Sequence, residues 1–314
     1  MIRRLVAAMG LTAIGGLVVW ILVAAVAWSV DDARLDLPAV LLLFGQLVVV
    51  PIGVRLMAGG GPRIAAALHR GGRAGLPLGA VAALAAMLMP RAELAAAVGA
   101  FYLLPVLAIG LASVVRALAG GLTGAAAWGR TAAAGFLVVG ALFFVIHRQG
   151  IAFGGMPEHI LQLTAVHFHF TGFGLMLMAA ALADRSPRVG GIGVTLLIAG
   201  MIVTPIGFLT IPPVQAAGAL LVVAALMVVA VGTVLAFGRI GSGAARRLLF
   251  VSSVFAWVVG GMAAAYAVTE ALGNPAIPLV AMAVLHGAFA AIGVVFCGLL
   301  GWRLADAAGA ELGS

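Results

Sequence analysis

The chain has 314 residues, of which 65% are apolar and only 8% are charged. Soluble domains usually carry about 25% charged residues, so this composition predicts an integral membrane protein and excludes a soluble domain. The net charge of +8 comes from arginines scattered between apolar runs, a distribution that indicates membrane topology rather than nucleic-acid binding. The only cysteine, Cys297, allows neither a disulfide within the chain nor a cysteine-based metal site.

A transmembrane helix needs about 20 apolar residues, and we count ten runs that approach this length. The runs are 5–28, 37–57, 74–90, 92–117, 124–146, 157–183, 190–211, 213–237, 247–270 and 276–303. The first run is too long for a signal peptide and is taken as a retained span. We predict an all-α protein, a polytopic transmembrane helix bundle of about ten spans forming one domain over 1–314. Its half 1–150 is generic, and its half 151–314 carries the His and Glu motifs.

The arginines indicate how the spans are oriented. With the amino terminus in the cytoplasm, all 17 arginines except Arg34, Arg91 and Arg148 fall on cytoplasmic segments. Cytoplasmic loops of membrane proteins carry an excess of arginine and lysine. We therefore predict that both the N- and C-termini are cytoplasmic.

The stretch 156–178, MPEHILQLTAVHFHFTGFGLMLM, is the part of the chain that carries polar chemistry. Successive helical residues turn by about 100°, so Glu158, Gln162 and His169 fall on one stripe of a helix. His167 points away from that stripe. On a regular helix, therefore, His167 and His169 serve different neighbours, unless the helix is distorted there.

Depth brings a second histidine into the same site. At about 1.5 Å per residue, His169 lies about 18 Å below the outer end of its helix, near the midplane. His286 lies about ten residues into the last span from the same side, about 15 Å deep, so we expect the two rings to meet. The residues predicted at the outer mouth of this polar funnel are His147, Arg148, Glu158 and Glu270.

The run LTAVHFHFTGFG (163–174), preceded by Glu158 and followed downstream by His286-Gly287, resembles the YndJ-like family of bacterial integral membrane proteins. The likeness is best over 140–300. By family label, it implies a transporter in the bacterial cytoplasmic (inner) membrane. The residues for which it implies roles are Glu158, His167, His169 and His286.

Three functions stay open. The first is a secondary transporter of a small solute or ion, in which histidine, titrating near neutral pH, binds substrate or relays protons. The residues predicted to bind the solute or proton are Glu158, Gln162, His169, His286, Glu270 and Arg148. The lipid bilayer is the other expected partner, nucleic acid is not expected, and the sequence does not define the oligomeric state.

The second function is a membrane metalloenzyme or haem protein. Histidine is the commonest metal ligand, and Glu with several His suits Zn, Fe or Cu, or two His can hold haem. The metal ligands would be His147, Glu158, His167, His169 and His286. The third function is a structural or accessory subunit whose histidines only bond helices. Whether the chain is an enzyme stays open among these three.

Overall fold

The computed structural model describes residues 2–29, 33–57, 60–278 and 281–312. Among these residues, ten helices are long and apolar enough to cross a membrane. They are α1 (Leu11–Ser29), α2 (Leu37–Val54), α3 (Arg63–Leu88), α4 (Glu93–Gly121), α5 (Ala125–Gln149), α6 (Glu158–Arg185), α7 (Pro187–Leu209), α8 (Pro212–Leu235), α9 (Gly243–Ala271) and α10 (Met282–Ala308). The predicted all-α polytopic bundle of ten spans is confirmed. The cytoplasmic location of the termini stays a prediction.

The first residues of several predicted spans differ from those in the structure, and two of these differences bear on the site and its surroundings. α3 starts at Arg63 rather than at 74, so most of the connection predicted between the second and third spans is helical. The hydropathy of the sequence identifies only the apolar part of a helix, and α3 continues through its arginines beyond that part. The last span starts later than the predicted residue 276, because 274–278 are not helical. His286 therefore lies nearer the start of its helix than the ten residues predicted.

The chain packs as two compact units. The amino-terminal unit holds residues 2–122 and 130–174, which form α1 to α4, most of α5 and the first part of α6. The carboxy-terminal unit holds 123–129 and the described residues from 175 onward, including α7 to α10. That the chain forms one domain with halves 1–150 and 151–314 stays a prediction.

In the amino-terminal unit, α2 and the first part of α6 run parallel to each other. Near their starts, Gln162 Nε2 donates a hydrogen bond of 2.9 Å to Asp36 Oδ1, which also caps α2 by accepting from the Ala39 amide. Eight residues further along both helices, Phe44 and Phe170 stack with ring centroids 6.4 Å apart. Because the two contacts are separated by eight residues on each helix, the two helices run in the same direction and stay in register.

Small residues bring α3 close to α4, the helix that carries Tyr102. A Cβ added at Gly79 would lie 2.9 Å from Pro105 Cγ and 3.2 Å from Tyr102 Cα, so only glycine allows this approach. Close packing through glycine is the usual way in which helices associate in a bilayer. It fixes the backbone of α4 where Tyr102 projects.

In the carboxy-terminal unit, the end of α6 is tied to α10. Arg185 Nη2 pairs with Asp306 Oδ1 at 2.7 Å, and its guanidinium carbon lies 4.8 Å from the centre of the Trp302 ring. The Arg185 guanidinium therefore makes both an ion pair and a cation–π contact at one end of the unit.

Candidate functional site

A stretch of π-helix interrupts each of the two parallel helices: Gly45–Val49 in α2 and Phe168–Leu175 in α6. The two stretches lie at the same level, because a Cβ added at Gly45 would lie only 3.3 Å from His169 Cβ. π-Helical turns are rare and occur frequently at functional sites. α6 is therefore distorted within the His-Phe-His string. This is one of the two possibilities that the sequence left open for His167 and His169.

His169 is fully buried, and both of its ring nitrogens have partners. Nδ1 lies 2.8 Å from the Ala165 carbonyl oxygen, and Nε2 lies 2.9 Å from the Tyr102 hydroxyl. A carbonyl only accepts, so Nδ1 carries the proton. Nε2 of the neutral ring then accepts a hydrogen bond from the Tyr102 hydroxyl. The result is a continuous hydrogen-bonded path from the α4 tyrosine to the backbone of α6.

Three helices hold this histidine–tyrosine pair in place. The rings of Tyr102 and His169 stack at 5.8 Å, and the ring of Phe144 on α5 meets Tyr102 edge-on at 6.2 Å. Gly140, also on α5, leaves the space that the imidazole fills, since a Cβ there would lie 2.9 Å from His169 Nδ1. The position of the imidazole is therefore set by packing as well as by hydrogen bonds.

Gln46 lies in the π-helical turn of α2, next to the glycine that packs against His169. Its side chain is 0% exposed, and neither its amide nitrogen nor its amide oxygen has a hydrogen-bond partner among the residues that the structure describes. Leaving such a group unpaired costs about 1–3 kcal/mol. The layer that contains the two π-helical turns thus offers one free donor group and one free acceptor.

A charged cluster lies at the end of the amino-terminal unit where α6 begins. Glu158, half exposed, forms an ion pair with Arg91, and its Oε1 also lies 3.6 Å from His147 Nε2. His147 is only 3% exposed, and its Nδ1 has no partner among the described residues. Glu158 and His147 were both predicted at the outer mouth of the polar funnel, and they lie close together here.

Arg148 belongs to the same cluster but is not open to its surface. The side chain is 2% exposed, with Nη2 donating to the Met89 carbonyl and Nη1 lying 4.0 Å from Met87 Sδ. Within the described parts of the chain, no carboxylate forms an ion pair with its guanidinium. Backbone and sulfur atoms therefore surround a buried cation here.

Two of the three residues of the predicted polar stripe of α6 are buried, and the third, Glu158, is half exposed. Gln162 is 6% exposed and His169 is 0% exposed, whereas His167 is exposed and directed elsewhere. The Nδ1 atom of His167 lies 2.8 Å from the Leu163 carbonyl oxygen. His167 and His169 therefore contact different neighbours, as the helical geometry predicted.

Two of the predicted site residues lie in the carboxy-terminal unit. Glu270 accepts hydrogen bonds from Gln215 Nε2 at 3.2 Å and from the Tyr266 hydroxyl at 3.4 Å. His286 lies in a π-helical turn, Met282–His286, and its Nδ1 lies 3.2 Å from the Val259 carbonyl oxygen. That the rings of His286 and His169 meet stays a prediction.

The ligands suggested for a metal do not assemble within the amino-terminal unit. In the described ranges, no group of three or more His, Cys, Asp or Glu side chains is placed to hold a metal ion. His147 lies near Glu158, but His167 and His169 face different sides of α6.

Sequence reasoning did not single out Gln46 or Tyr102. Gln46 is the only polar side chain in LLLFGQLVVVP (41–51), the same kind of signal that drew attention to Gln162. Tyr102 is one of only two tyrosines in the chain, but a lone tyrosine in an apolar helix has no pattern that marks it.

Comparison with known proteins identifies a family for this chain. The family model described as "YndJ-like protein" matches residues 40–294. The match extends well beyond 140–300, the range in which the sequence resemblance is best, and includes most of α2 with its π-helical turn. No curated protein matches the chain. No solved structure matches it either.

Proposed function

The chain belongs to the YndJ-like protein family, and from this premise we propose that it is a secondary transporter of a small polar solute or ion. The proposed binding site lies in the amino-terminal unit, in the layer where the π-helical turns of α2 and α6 pack together. Gln46 binds the solute there. The adjoining pair of His169 and Tyr102 supplies groups that can exchange a proton.

The single observation that carries this function is the buried, unpaired amide of Gln46. A bilayer core contains no water that could satisfy such a group, so its partners must come from within the protein or from something bound to it. A leucine at this position would fill the space at a lower free energy. Departures of this kind from good packing are expected at functional sites.

The backbone around Gln46 supports the same function. Secondary transporters bind substrates near the bilayer midplane, typically on helices whose regular hydrogen bonding is interrupted. His169 lies eleven residues after Glu158, the first residue of α6. At about 1.5 Å per residue this is about 17 Å, which corresponds to the middle of a 30 Å hydrocarbon core.

Of the other residues predicted to bind the solute, three belong to the amino-terminal unit and two to the carboxy-terminal unit. In the amino-terminal unit, Glu158 stands at the entrance to the buried layer, and the buried side chains of Gln162 and Arg148 lie behind it. In the carboxy-terminal unit, Glu270 and His286 keep their predicted binding roles. The excess of arginine at the other helix ends favours a solute path that opens outward from a bacterial inner membrane.

The other two functions have less support. The bonds of His169 to Ala165 and Tyr102 favour the structural role, in which histidines only join helices. That role leaves the amide of Gln46 unexplained. Binding of a transition metal or haem by His169 would require its bond to Tyr102 to break, because both ring nitrogens are in use.

Transport can be tested in proteoliposomes that contain a pH-sensitive dye. Under an imposed pH gradient, we would add amino acids, sugars, carboxylates, phosphate and metal cations one class at a time, and measure uptake and proton movement. We expect one class to produce a flux absent from empty liposomes. Gln46→Leu and His169→Ala should each reduce that flux by at least about tenfold, which corresponds to 1.4 kcal/mol.

The matched control is Gln149→Leu, which replaces an exposed amide at the end of α5. Its flux should equal that of the wild type. A wild-type protein that moves none of the solute classes contradicts the transport function. Full flux in both Gln46→Leu and His169→Ala would show that transport, if present, uses another site. Visible absorption and elemental analysis of the same preparation test for haem and for bound Zn, Fe or Cu.

A further inference from the structure

A pocket with a volume of about 310 Å³ lies at the arginine-rich end of the amino-terminal unit. It is formed by the start of α1 and the residues just before it, the end of α2 and the residue just after it, and the first half of α3. Its charged lining consists of Arg55, Arg70 and Arg73, and its apolar lining includes Met9, Pro51 and Leu76. The volume is at the lower end of the range for ligand pockets, roughly 300–1,000 Å³.

No acidic side chain is among the described residues that line this pocket. The described acidic residues of the unit are Asp36, Glu93 and Glu158, which stand at the beginnings of α2, α4 and α6, at the opposite helix ends. Arg70 and Arg73 are exposed, and neither forms an ion pair with a residue that the structure describes. Neighbouring like charges raise the local potential and attract a counter-ion.

Arg55 is held in the pocket by the local backbone. Its Nη2 donates a hydrogen bond of 3.0 Å to the Ala7 carbonyl. The chain turns at Gly10, whose φ of +78° favours glycine, and a Cβ there would lie 2.6 Å from Arg55 Nη1. Burial and the neighbouring Arg73 guanidinium lower the pKa of Arg55, as expected for cations held close together.

We propose that this pocket binds a phosphate-type anion through the guanidinium groups of Arg55, Arg70 and Arg73. Arginine suits this ligand because its planar fork can donate two parallel hydrogen bonds to phosphate oxygens. Basic pockets between transmembrane helices on the cytoplasmic side bind acidic lipid headgroups. The apolar lining suits the first carbons of the acyl chains of such a lipid, and free phosphate presents the same charged group. This site is separate from the layer proposed for transport.

Binding can be measured on the full-length protein in a neutral detergent. The probes are inorganic phosphate, dihexanoyl-phosphatidylglycerol and, as a zwitterionic lipid, dihexanoyl-phosphatidylcholine, all below their micellar concentrations. The variant Arg70→Gln/Arg73→Gln removes two charges from the pocket. Its matched control, Arg246→Gln/Arg247→Gln, removes two exposed charges at the start of α9. Both double variants have the same net charge.

We expect the pocket variant to weaken binding of the phosphate-type anion by at least about tenfold and the control to change it less than twofold. Thr12→Trp fills the pocket while leaving every arginine in place, and should weaken binding equally. Since Thr12 is exposed, this variant keeps the test valid if the double variant does not fold.

The probes distinguish the source of the anion. Tight binding of the phosphatidylglycerol alone identifies an acidic lipid, whereas equal binding of inorganic phosphate identifies a soluble phosphate. Both results support anion binding in the pocket. Three results would overturn the proposal. They are no preference for either anion over phosphatidylcholine, equal losses of binding affinity in the pocket and control double variants, and unchanged binding in Thr12→Trp.

Discussion

Replacing Gln46 with leucine should make the protein more stable. The substitution keeps the approximate size of the side chain and removes two polar atoms that have no partner among the described residues. An unpaired buried amide costs about 1–3 kcal/mol, and leucine recovers that free energy. For a chain of this size, about 2–4 °C corresponds to 1 kcal/mol, so we expect the melting temperature to rise by about 2–12 °C.

The same substitution at Gln162 should have the opposite effect. Gln162 is also buried, but its Nε2 donates to Asp36 Oδ1 at 2.9 Å. Leucine would remove this hydrogen bond and leave the carboxylate with the hydrogen bond from the Ala39 amide on α2. We expect a loss of about 1–2 kcal/mol. The two glutamines thus form a matched pair in which the hydrogen bond alone decides the sign.

Thermal unfolding followed by tryptophan fluorescence measures both variants, at one protein and one detergent concentration. A transported solute should raise the melting temperature of the wild type, because it binds only the folded state, and should leave that of Gln46→Leu unchanged. A lower melting temperature for Gln46→Leu would refute the reasoning. It would mean that the amide already makes hydrogen bonds within the protein, so that nothing bound is needed to satisfy it.

Three further predictions concern the neighbours of this layer and the orientation of the chain. Tyr102→Phe should lower stability by about 1 kcal/mol, and in a double-mutant cycle with His169→Ala the two effects should not add, because each removes the same hydrogen bond. Gly140→Ala should cost about 1–3 kcal/mol by crowding the imidazole, whereas Gly135→Ala, on the same helix with nothing within 4 Å, should be neutral or slightly stabilising; equal melting temperatures would contradict this. Green fluorescent protein fused to the carboxy terminus should fluoresce and alkaline phosphatase fused there should be inactive, and the reverse pattern would place that terminus outside.

The number of spans was predictable because it depends on averages over about 20 residues. Single charges hardly change such an average, so ten apolar runs gave ten helices. The same averaging misplaced the start of α3, where Arg63 to Arg73 continue the helix beyond its apolar part. Helix ends depend on hydrogen bonding and on local polar contacts, which hydropathy does not measure.

The buried face of α6 was predictable for a different reason. Helical periodicity relates residues within one element, and it placed Gln162 and His169 on one side and His167 on another, as the structure confirms. The partners of these residues were not predictable in this way. Tyr102 and Asp36 come from α4 and α2, and nothing in the spacing of α6 indicates which helices lie beside it.

In both units, the histidine that the sequence singled out lies in a π-helical turn. His169 is in Phe168–Leu175 and His286 is in Met282–His286. A π-helical turn by itself has many explanations, and so does a buried histidine. In α2 and α6, however, two such turns meet at one level, and the layer that they form also contains the unpaired amide of Gln46. The two turns depart from the regular helix, and the unpaired amide departs from the apolar side chain, that packing alone would favour. The polar solute that we propose in this layer would supply the amide with partners in a region that water does not reach.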